Sequence, residues 1–570
     1  MTRPSTVRTR HWQVKPAVPD DVRRRLSDFH PAVLQILYNR NLHDPAHIQA
    51  FLEKRYLESV DPFLLKDMDK AVARIQRAIE QEEAIIVYGD FDADGVTATV
   101  LLVETLRGLG LGRQQVQPYI PDRVDEGYGL NKEALTNLKA KGAGLVISVD
   151  CGIRSVAEVV HARDLGLDMI VTDHHSLGPE LPPAVAVINP RRPDSTYPET
   201  RLAGVGIAYK VAQALCQALP ERVQFEPESL LDLVAIGTVA DITPLLGENR
   251  QLVTAGLRVL NECRRPGLAA LAKSAGLKPG NMTAESIGFG LAPRLNAAGR
   301  LAHAYSAAKL LSANNAPQAG ELALELERLN QQRQKLTAEM SRQAEELIEP
   351  GATLLMAARP DFNPGVVGLV ASYLAEKHYR PAIVIEQGAE KSRGSCRSIP
   401  EFHVTRALDQ VGDLLERYGG HAQAAGFTVQ NENLPIFQQR MAEIANSQLA
   451  GLDLQPALVI DVELPLGDVD WAFWGKLAEL EPTGEGNPTP VFASRGVRVY
   501  NYRPVGADQS HLKLMVGQGR QAFDAIAFRQ GAWAGHLPEK IDIAYTVGVN
   551  EWNGRRTLQL TVQDIQLPTP

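Results

Sequence analysis

Four short stretches of this chain carry the residues that could do chemistry. The first is YGDFDADG, Tyr88–Gly95, which places Asp90, Asp92 and Asp94 in one tight turn. Gly95 lets the backbone pass closely into whatever follows. Carboxylates this crowded repel one another unless cations neutralise them. Hard divalent ions such as Mg²⁺ or Mn²⁺ suit oxygen donors, and an imidazole nitrogen moves the preference toward Mn²⁺. SVDCG adds Asp150, TDHH adds Asp173, His174 and His175, and ADITP adds Asp241. Each stretch also has a plainer reading. The first aspartates suit an Asx turn capping a helix, Asp150 fits a cap as well as a ligand, and Asp241 reads as a helix end before a proline. The two histidines behind an apolar run also fit a solvent-exposed loop pair, although the aspartate in front of them favours a cap or a ligand.

The elements around these residues give the stretches a joint meaning. AIIVYGD (Ala84–Asp90), GLVISVD (Gly144–Asp150), LDMIVTDHH (Leu167–His175) and AVAVINP (Ala184–Pro190) are short apolar runs, and TATVLLVETLRGLG between the first two reads as a helix. Continuous apolar strands alternating with helices predict a buried parallel sheet. In such sheets functional groups gather beyond the carboxyl ends of the strands. Asp90, Asp92, Asp94, Asp150, Asp173, His174 and His175 all fall at such ends. ESLLDLVAIGTVA (228–240) reads as a buried helix that delivers Asp241. One ligand set could then hold two ions about 3.5–4 Å apart that share a carboxylate. Asp150, between the other two clusters, is the candidate bridge.

The rest of the chain divides by pattern. Residues 1–80 read as a helical lead-in, and 81–315 hold the α/β domain just described. Residues 316–350 form one long charged helix with Leu322, Leu326, Leu329, Leu336, Met340 and Leu347 on a stripe, a connector between domains rather than a coiled-coil arm. A second α/β domain runs over 351–450. In it GVVGLVASYLAEKHYRP reads as helix, AIVIE as strand, and VTRALDQVGDLLERYGGHAQAAGF as helix plus glycine-rich turn. Short alternating segments over 455–570 predict a small antiparallel barrel. It carries Tyr500, Tyr502, Phe523, Phe528, Trp533 and Trp552 beside Arg498, Arg503, Lys513, Arg555 and Arg556, a composition suited to stacking bases and tracking phosphates. Alternation within the strands assigns most of those aromatics to the core. The expected class is therefore α/β, with two α/β domains flanking a cleft, a joining helix and a C-terminal β-barrel.

Composition sets limits. The 570 residues carry a net charge of −8, which disfavours indiscriminate coating of nucleic acid but allows a basic groove on an acidic body. None of the four cysteines, Cys151, Cys216, Cys263 and Cys396, forms a CxxC pair, so neither a zinc ribbon nor a disulfide framework is expected. A reducing, cytoplasmic setting follows. MTRPSTVRTRHW is basic without an apolar run behind it, so no signal peptide and no membrane partner are expected.

In order, DFDADG, SVDCG, TDHH and VADITP resemble the four motifs of the DHH phosphoesterase superfamily. PRLNAAGR (Pro293–Arg300), GSCRSIP (Gly394–Pro400), GGHAQAAGF (Gly419–Phe427) and EPTGEGNPTPVF (Glu481–Phe492) are similar to its RecJ-like branch of single-strand-specific 5′→3′ exonucleases. GGHAQAAGF matches the signature of the DHHA1 domain, and the last stretch with the β-rich tail resembles the entry into an OB domain. The resemblance covers roughly 50–565. It implies Asp92, Asp94, Asp150, His174 and Asp241 as ligands of two Mn²⁺ or Mg²⁺ ions, with Asp90 joining directly or through water. It implies that His175, with Asp173 beside it, serves catalysis at the scissile phosphate. It implies that Arg123, Arg294, Asn296, Ser395, Arg397, Gly420 and His421 help hold a DNA strand and its 5′ end. Cys396 stands where the family pattern has glycine.

The implied activity is two-metal hydrolysis of single-stranded DNA to 5′-mononucleotides in recombination and repair, beside a single-strand DNA-binding protein and other repair factors. Two alternatives stand next to it: a phosphodiesterase on short RNA, cyclic dinucleotides or pyrophosphate, and a non-catalytic scaffold of the replication machinery. The long chain and the barrel favour a polymer, and a scaffold would have lost ligands. The glycine pair Gly419–Gly420 could offer N–H groups to an anion and Arg397 a bidentate fork. Standing alone they would read as a glycine helix cap and a surface ion pair.

Overall fold

The computed structural model of the chain describes residues 10–123, 126–552 and 554–568. They form two compact units, Glu58–Leu454 and Met1–Leu57 with Gln455–Pro570. The first nine residues of the basic N-terminus lie outside the described part.

In the first unit, β-branched and aliphatic runs build a parallel five-stranded sheet. Its order is Val116–Tyr119, Ala84–Tyr88, Ala143–Val149, Asp168–Thr172, Ala186–Ile188. Val87, Ile147 and Ile170 lie abreast and are fully buried, because helices cover both faces. Ala93–Gly108, Gly204–Ala218 and Leu231–Ala240 pack together on one face, and Lys132–Ala140 and Val156–Asp164 enclose a smaller core on the other. All five strands point the same way, so every strand end that bears an aspartate or histidine opens onto one edge.

A single 32-residue helix, Ala316–Leu347, then joins two cores. Ala319, Ala323 and Leu326, flanked by Leu322 and Leu329, pack into the first; Met340 and Ala344, with Leu336, pack into the second. Leu347 is exposed. Between the two sets the buried Asn330 accepts from Arg333 Nη2 at 2.9 Å. The second sheet runs Leu415–Gly420, Ala424–Gln430, Lys391–Arg397, Ala382–Gln387, Leu355–Arg359, with only the last pair parallel.

The segment VTRALDQVGDLLERYGGHAQAAGF departs from the helix plus turn that its periodicity predicts. Helix covers only Val404–Asp409; a hairpin of Leu415–Gly420 and Ala424–Gln430 follows. Gly419 and Gly420 cannot sustain a helix. Beyond them Ala425, Phe427 and Val429 alternate into the core with period two. Gly394 makes room for this, since a Cβ there would lie 2.2 Å from the Phe427 ring. Cys396, fully buried opposite Ala425, points away from Ser395 and Arg397, so its departure from the family pattern stays in the core.

In the second unit five strands close a barrel: Phe492–Val505, His511–Gln518, Gln521–Ala527, Arg555–Gln566, Lys540–Trp552 and back to the first. Closure removes the exposed edges. Phe523 and Trp533 are core residues, whereas Tyr500 and Phe528 are exposed; the side chain of Trp552 lies outside the described part. The N-terminal segment also belongs to this unit. His11–Val14 pairs in parallel with Ala457–Ile460, and Trp12 Nε1 donates to Asp564 Oδ2 at 2.8 Å. The stretch read as one helical lead-in over 1–80 is thus divided between units at residue 57.

Candidate metal centre and phosphate site

Each acidic residue reaches the sheet edge by a local device. Asp92 caps the helix Ala93–Gly108: its Oδ1 accepts from Asp94 N at 2.9 Å and Gly95 N at 3.0 Å. The Asx-cap reading and the ligand reading are compatible, because capping engages Oδ1 and leaves Oδ2 free of the cap. Gly95 is required by closeness, since a Cβ would lie 2.6 Å from Asp90 Cβ. Asp94 points into the N-terminus of the helix Gly204–Ala218, accepting from Gly204 N at 2.7 Å and Val205 N at 2.9 Å, where the helix dipole favours negative charge. Asp150 ends its strand at φ +62, a left-handed conformation that aspartate tolerates better than most residues. Asp173 accepts from Ile153 N at 2.9 Å and from the N–H of His175 at 3.0 Å. Asp241 directly follows the helix Leu231–Ala240 as its C-terminal cap.

These devices bring the predicted groups together. Donor atoms lie within 4.8 Å of one another in three sets: Asp90, Asp92 and Asp150; Asp150, His174 and His175; Asp94, His174 and Asp241. Asp150 belongs to two of the sets and His174 to two. His174 Nε2 lies 3.1 Å from Asp150 Oδ1 and 3.7 Å from Asp241 Oδ2.

Hydrogen bonding tests whether cations fit. Asp90 Oδ1, Asp150 Oδ1 and both ring nitrogens of His174 are buried and make no hydrogen bond of proper geometry; His174 Nε2 and Asp150 Oδ1 meet at 3.1 Å without one. Orphaned buried polar atoms are rare and costly. Oxygen and imidazole donors clustered in this way suit Mn²⁺ or Mg²⁺.

Electrostatics agrees. Burial first, and neighbouring aspartates second, push Asp94 up to about 7 and Asp241 up to about 9. Asp90 and Asp150 are held well above the usual carboxylate range by the same causes. The cluster therefore lacks positive charge. Burial, followed by the charge of His175, pushes His174 down to about 3, so it stays neutral, as a ligand nitrogen must. His175 behaves oppositely. Burial would lower it, yet the hydrogen bond and charge of Asp173 push it up to about 9. Its Nδ1 is 2.7 Å from Asp173 Oδ1, and Asp173 stays below the ordinary range despite its own burial. The centre thus offers a neutral imidazole, suited to a metal ion, beside a cationic one.

Beside the acidic cluster lies a basic one. The Arg123 guanidinium sits 4.7 Å over the Phe91 ring, in the field of Asp90 and Asp92. Arg300 Nη1 donates to Gly365 O at 3.0 Å; burial, then Arg123, Arg333 and Arg397, push it down to about 10. Arg397 Nη1 donates to Ser395 Oγ at 3.0 Å. Like charges crowded together call for an anion between them, and guanidinium forks match phosphate. On the hairpin, Gly420 at φ +149 comes so near its partner strand that a Cβ would lie 2.3 Å from Ala424 O, and His421 lies in the field of His175.

Two predicted residues are placed differently. Arg294 is held by Glu327 at 2.6 Å and by Gly290 O at 2.7 Å. Asn296 Oδ1 accepts from Ala93 N at 2.8 Å and so braces the aspartate turn. Sequence reasoning passed over Arg300, the second arginine of PRLNAAGR. It also passed over Tyr128 of PDRVDEGYG, whose Oη lies 3.2 Å from His175 Nδ1 and donates to Asp150 O at 3.4 Å. Membership of PRLNAAGR was the available signal for the first, and nearness in sequence to Arg123 for the second. Gly204 carried none.

A parallel α/β domain with this carboxylate–histidine edge, joined by one helix to a second α/β domain, defines a protein of the DHH class. The chain matches the DHH family N-terminal domain over residues 84–238, the DHHA1 domain over 351–447 and the RecJ OB domain over 460–564. It is 39% identical to the single-stranded-DNA-specific exonuclease RecJ of Bacillus subtilis strain 168, over 97% of this chain and 70% of that one. It also superposes on the crystal structure of Thermus thermophilus RecJ in complex with Mn²⁺, with a TM-score of 0.85 and 32% identity, covering 98% of this chain and 80% of that one. The Mg²⁺ complex of the same enzyme gives 0.79 and 30%, covering 98% and 79%. The chain belongs to the RecJ family.

Proposed function

We propose that this chain is a metal-dependent exonuclease that degrades single-stranded DNA from its 5′ end to 5′-mononucleotides, in recombination and repair. The observation that carries the reading is the orphaned set of buried donors, Asp90, Asp150 and His174, standing beside a crowd of arginines. Asp90, Asp92, Asp94, Asp150, His174 and Asp241 would hold two Mn²⁺ or Mg²⁺ ions, with Asp150 shared. When bound, such ions lower the pKa of water and neutralise charge that develops on the phosphate. The protonated His175, oriented by Asp173, donates to a non-bridging phosphate oxygen or to the leaving oxygen. Arg123, Arg300 and Arg397 hold phosphate by charge-assisted hydrogen bonds, which are blind to base identity and sensitive to salt.

Family membership supports single-stranded DNA as the substrate. A single-strand DNA-binding protein and other repair factors are the expected partners. Four free cysteines support a reducing, cytoplasmic setting. Among the described residues no helix is long and apolar enough to cross a membrane. The test uses single-stranded DNA labelled at either end, a duplex and a short RNA, each with Mn²⁺. Immediate mononucleotide release from the 5′ label of single strands alone, lost in Asp94→Ala, is the expected result. Release from the 3′ label, or preference for the short RNA, would overturn the polarity or the substrate; no cleavage at all would favour a scaffold.

A further inference from the structure

The helix that presents Asp241 ends in a conformation its next residue does not favour. Ile242 sits at φ +57. Its N–H donates to Val239 O at 3.2 Å, and Thr243 N donates to Thr238 O at 3.4 Å. This pair of bonds closes a helix through one left-handed residue, ordinarily glycine or asparagine. A β-branched side chain there crowds its own backbone. Burial does not compensate, because Ile242 is 69% exposed. Its neighbours do settle inward: Thr243 and Leu245 are buried, and Thr243 Oγ1 donates to Thr238 O at 2.9 Å. A strained backbone that holds an apolar side chain in water, one residue from a carboxylate of the centre, is what a ligand contact would require. Asp241 Oδ2 is itself 3.7 Å from His174 Nε2, so Ile242 follows, one residue on in the chain, a carboxylate of the place where a phosphodiester would be cut.

We propose that Ile242 is a positioning residue that packs against the face of a nucleobase next to the cleaved phosphodiester. The inference rests on the nuclease reading above and adds a specific contact to it. The aspartates and arginines of the centre act by charge, on the ions and the phosphates. An aliphatic side chain supplies what they lack, a contact with the apolar face that all four bases share, without any hydrogen-bond readout.

The test compares first-cleavage rates of the full chain with Mn²⁺ under single-turnover conditions. One substrate is a 5′-phosphorylated oligodeoxynucleotide; the other is the same strand with abasic residues at the two nucleotides flanking the first phosphodiester. The unsubstituted chain should cut the intact strand about fivefold faster than the abasic one, as a modest apolar contact would give. Ile242→Gly and Ile242→Asn both suit the left-handed turn. They should bring this ratio close to one while the thermal midpoint holds or rises. A ratio in the glycine variant equal to that of the unsubstituted chain, including an equal loss on both strands, overturns the proposal. Absence of release by the unsubstituted chain from the intact strand overturns the nuclease reading, and the contact with it.

Discussion

Gly204 faces Asp150 so closely that a Cβ on the glycine would lie 2.6 Å from the aspartate Cβ, while the glycine amide donates to Asp94 Oδ2 at 2.7 Å. One backbone position thus bears on two carboxylates of the centre. Gly204→Ala should push Asp150 out of place and lower kcat by about 100-fold or more, since small misplacements in a catalytic site are costly. The unfolding midpoint should move by only a few degrees. Steady-state kinetics with a thermal melt check this, and an alanine variant within about threefold of the parent would contradict it.

The two arginines of PRLNAAGR should part company. Arg300 is half-buried in the field of Arg123, Arg333 and Arg397, so Arg300→Ala should weaken binding of a 5′-phosphorylated strand by about 10–100-fold, the size of a lost charge-assisted hydrogen bond. Arg294 is committed to Glu327 and Gly290 O. Arg294→Ala should act on stability, by about 1–3 kcal/mol. Strand-binding titrations beside denaturant melts separate the two; a larger binding loss in the Arg294 variant would reverse the assignment.

Ion removal should loosen the first unit. Buried carboxylates that repel one another gain a neutralising partner when Mn²⁺ binds, and a ligand at 100 times its Kd stabilises by about 2.7 kcal/mol per site. Chelation should lower the melting midpoint by several degrees, and added Mn²⁺ should restore it. A midpoint indifferent to both would remove the case for ions at this edge.

Away from the centre, Asp67 ties the helix Met68–Glu80 to the sheet. It lies 2.7 Å from Arg192 Nη1 and 2.7 Å from Lys70 Nζ, and Arg192 is buried. Burial opposes its ionisation, but those two cations hold Asp67 below its ordinary 3.8. A depressed folded value gives stability that is present above the unfolded value and lost as pH falls through the folded one. Asp67→Asn should therefore cost about 3 kcal/mol near pH 7. The gap between variant and parent should narrow below about pH 3.8, and urea melts across pH would reveal a gap that failed to do so.

Much of this was legible in the sequence because it is local. Apolar strands ending in aspartate or histidine fixed both the parallel sheet and the edge where Asp90, Asp150 and His174 meet. The long helix was equally plain, although its leucine stripe does not reveal that Leu326 and Met340 enter different cores. What escaped is non-local or hidden by competing periodicity. The pairing of His11 with Ala457 leaves no trace in either segment alone. The hairpin around Gly420 was masked by a leucine spacing that also fits a helix. Arg294 and Arg300 stand in one motif, and only the packing around each separates an arginine held by Glu327 from one set among other arginines. Gly204 is invisible until Asp150 is seen against it.

Asp150 stands in two of the three donor sets, which is why we propose that two ions share it. Mn²⁺ binding by calorimetry, on the full chain and on its Asp150→Asn variant, tests this directly. Two ions per chain in the parent, with loss or marked weakening of both in the variant, is the predicted result. A parent that binds no Mn²⁺, or a variant that binds two ions as tightly as the parent, would contradict it.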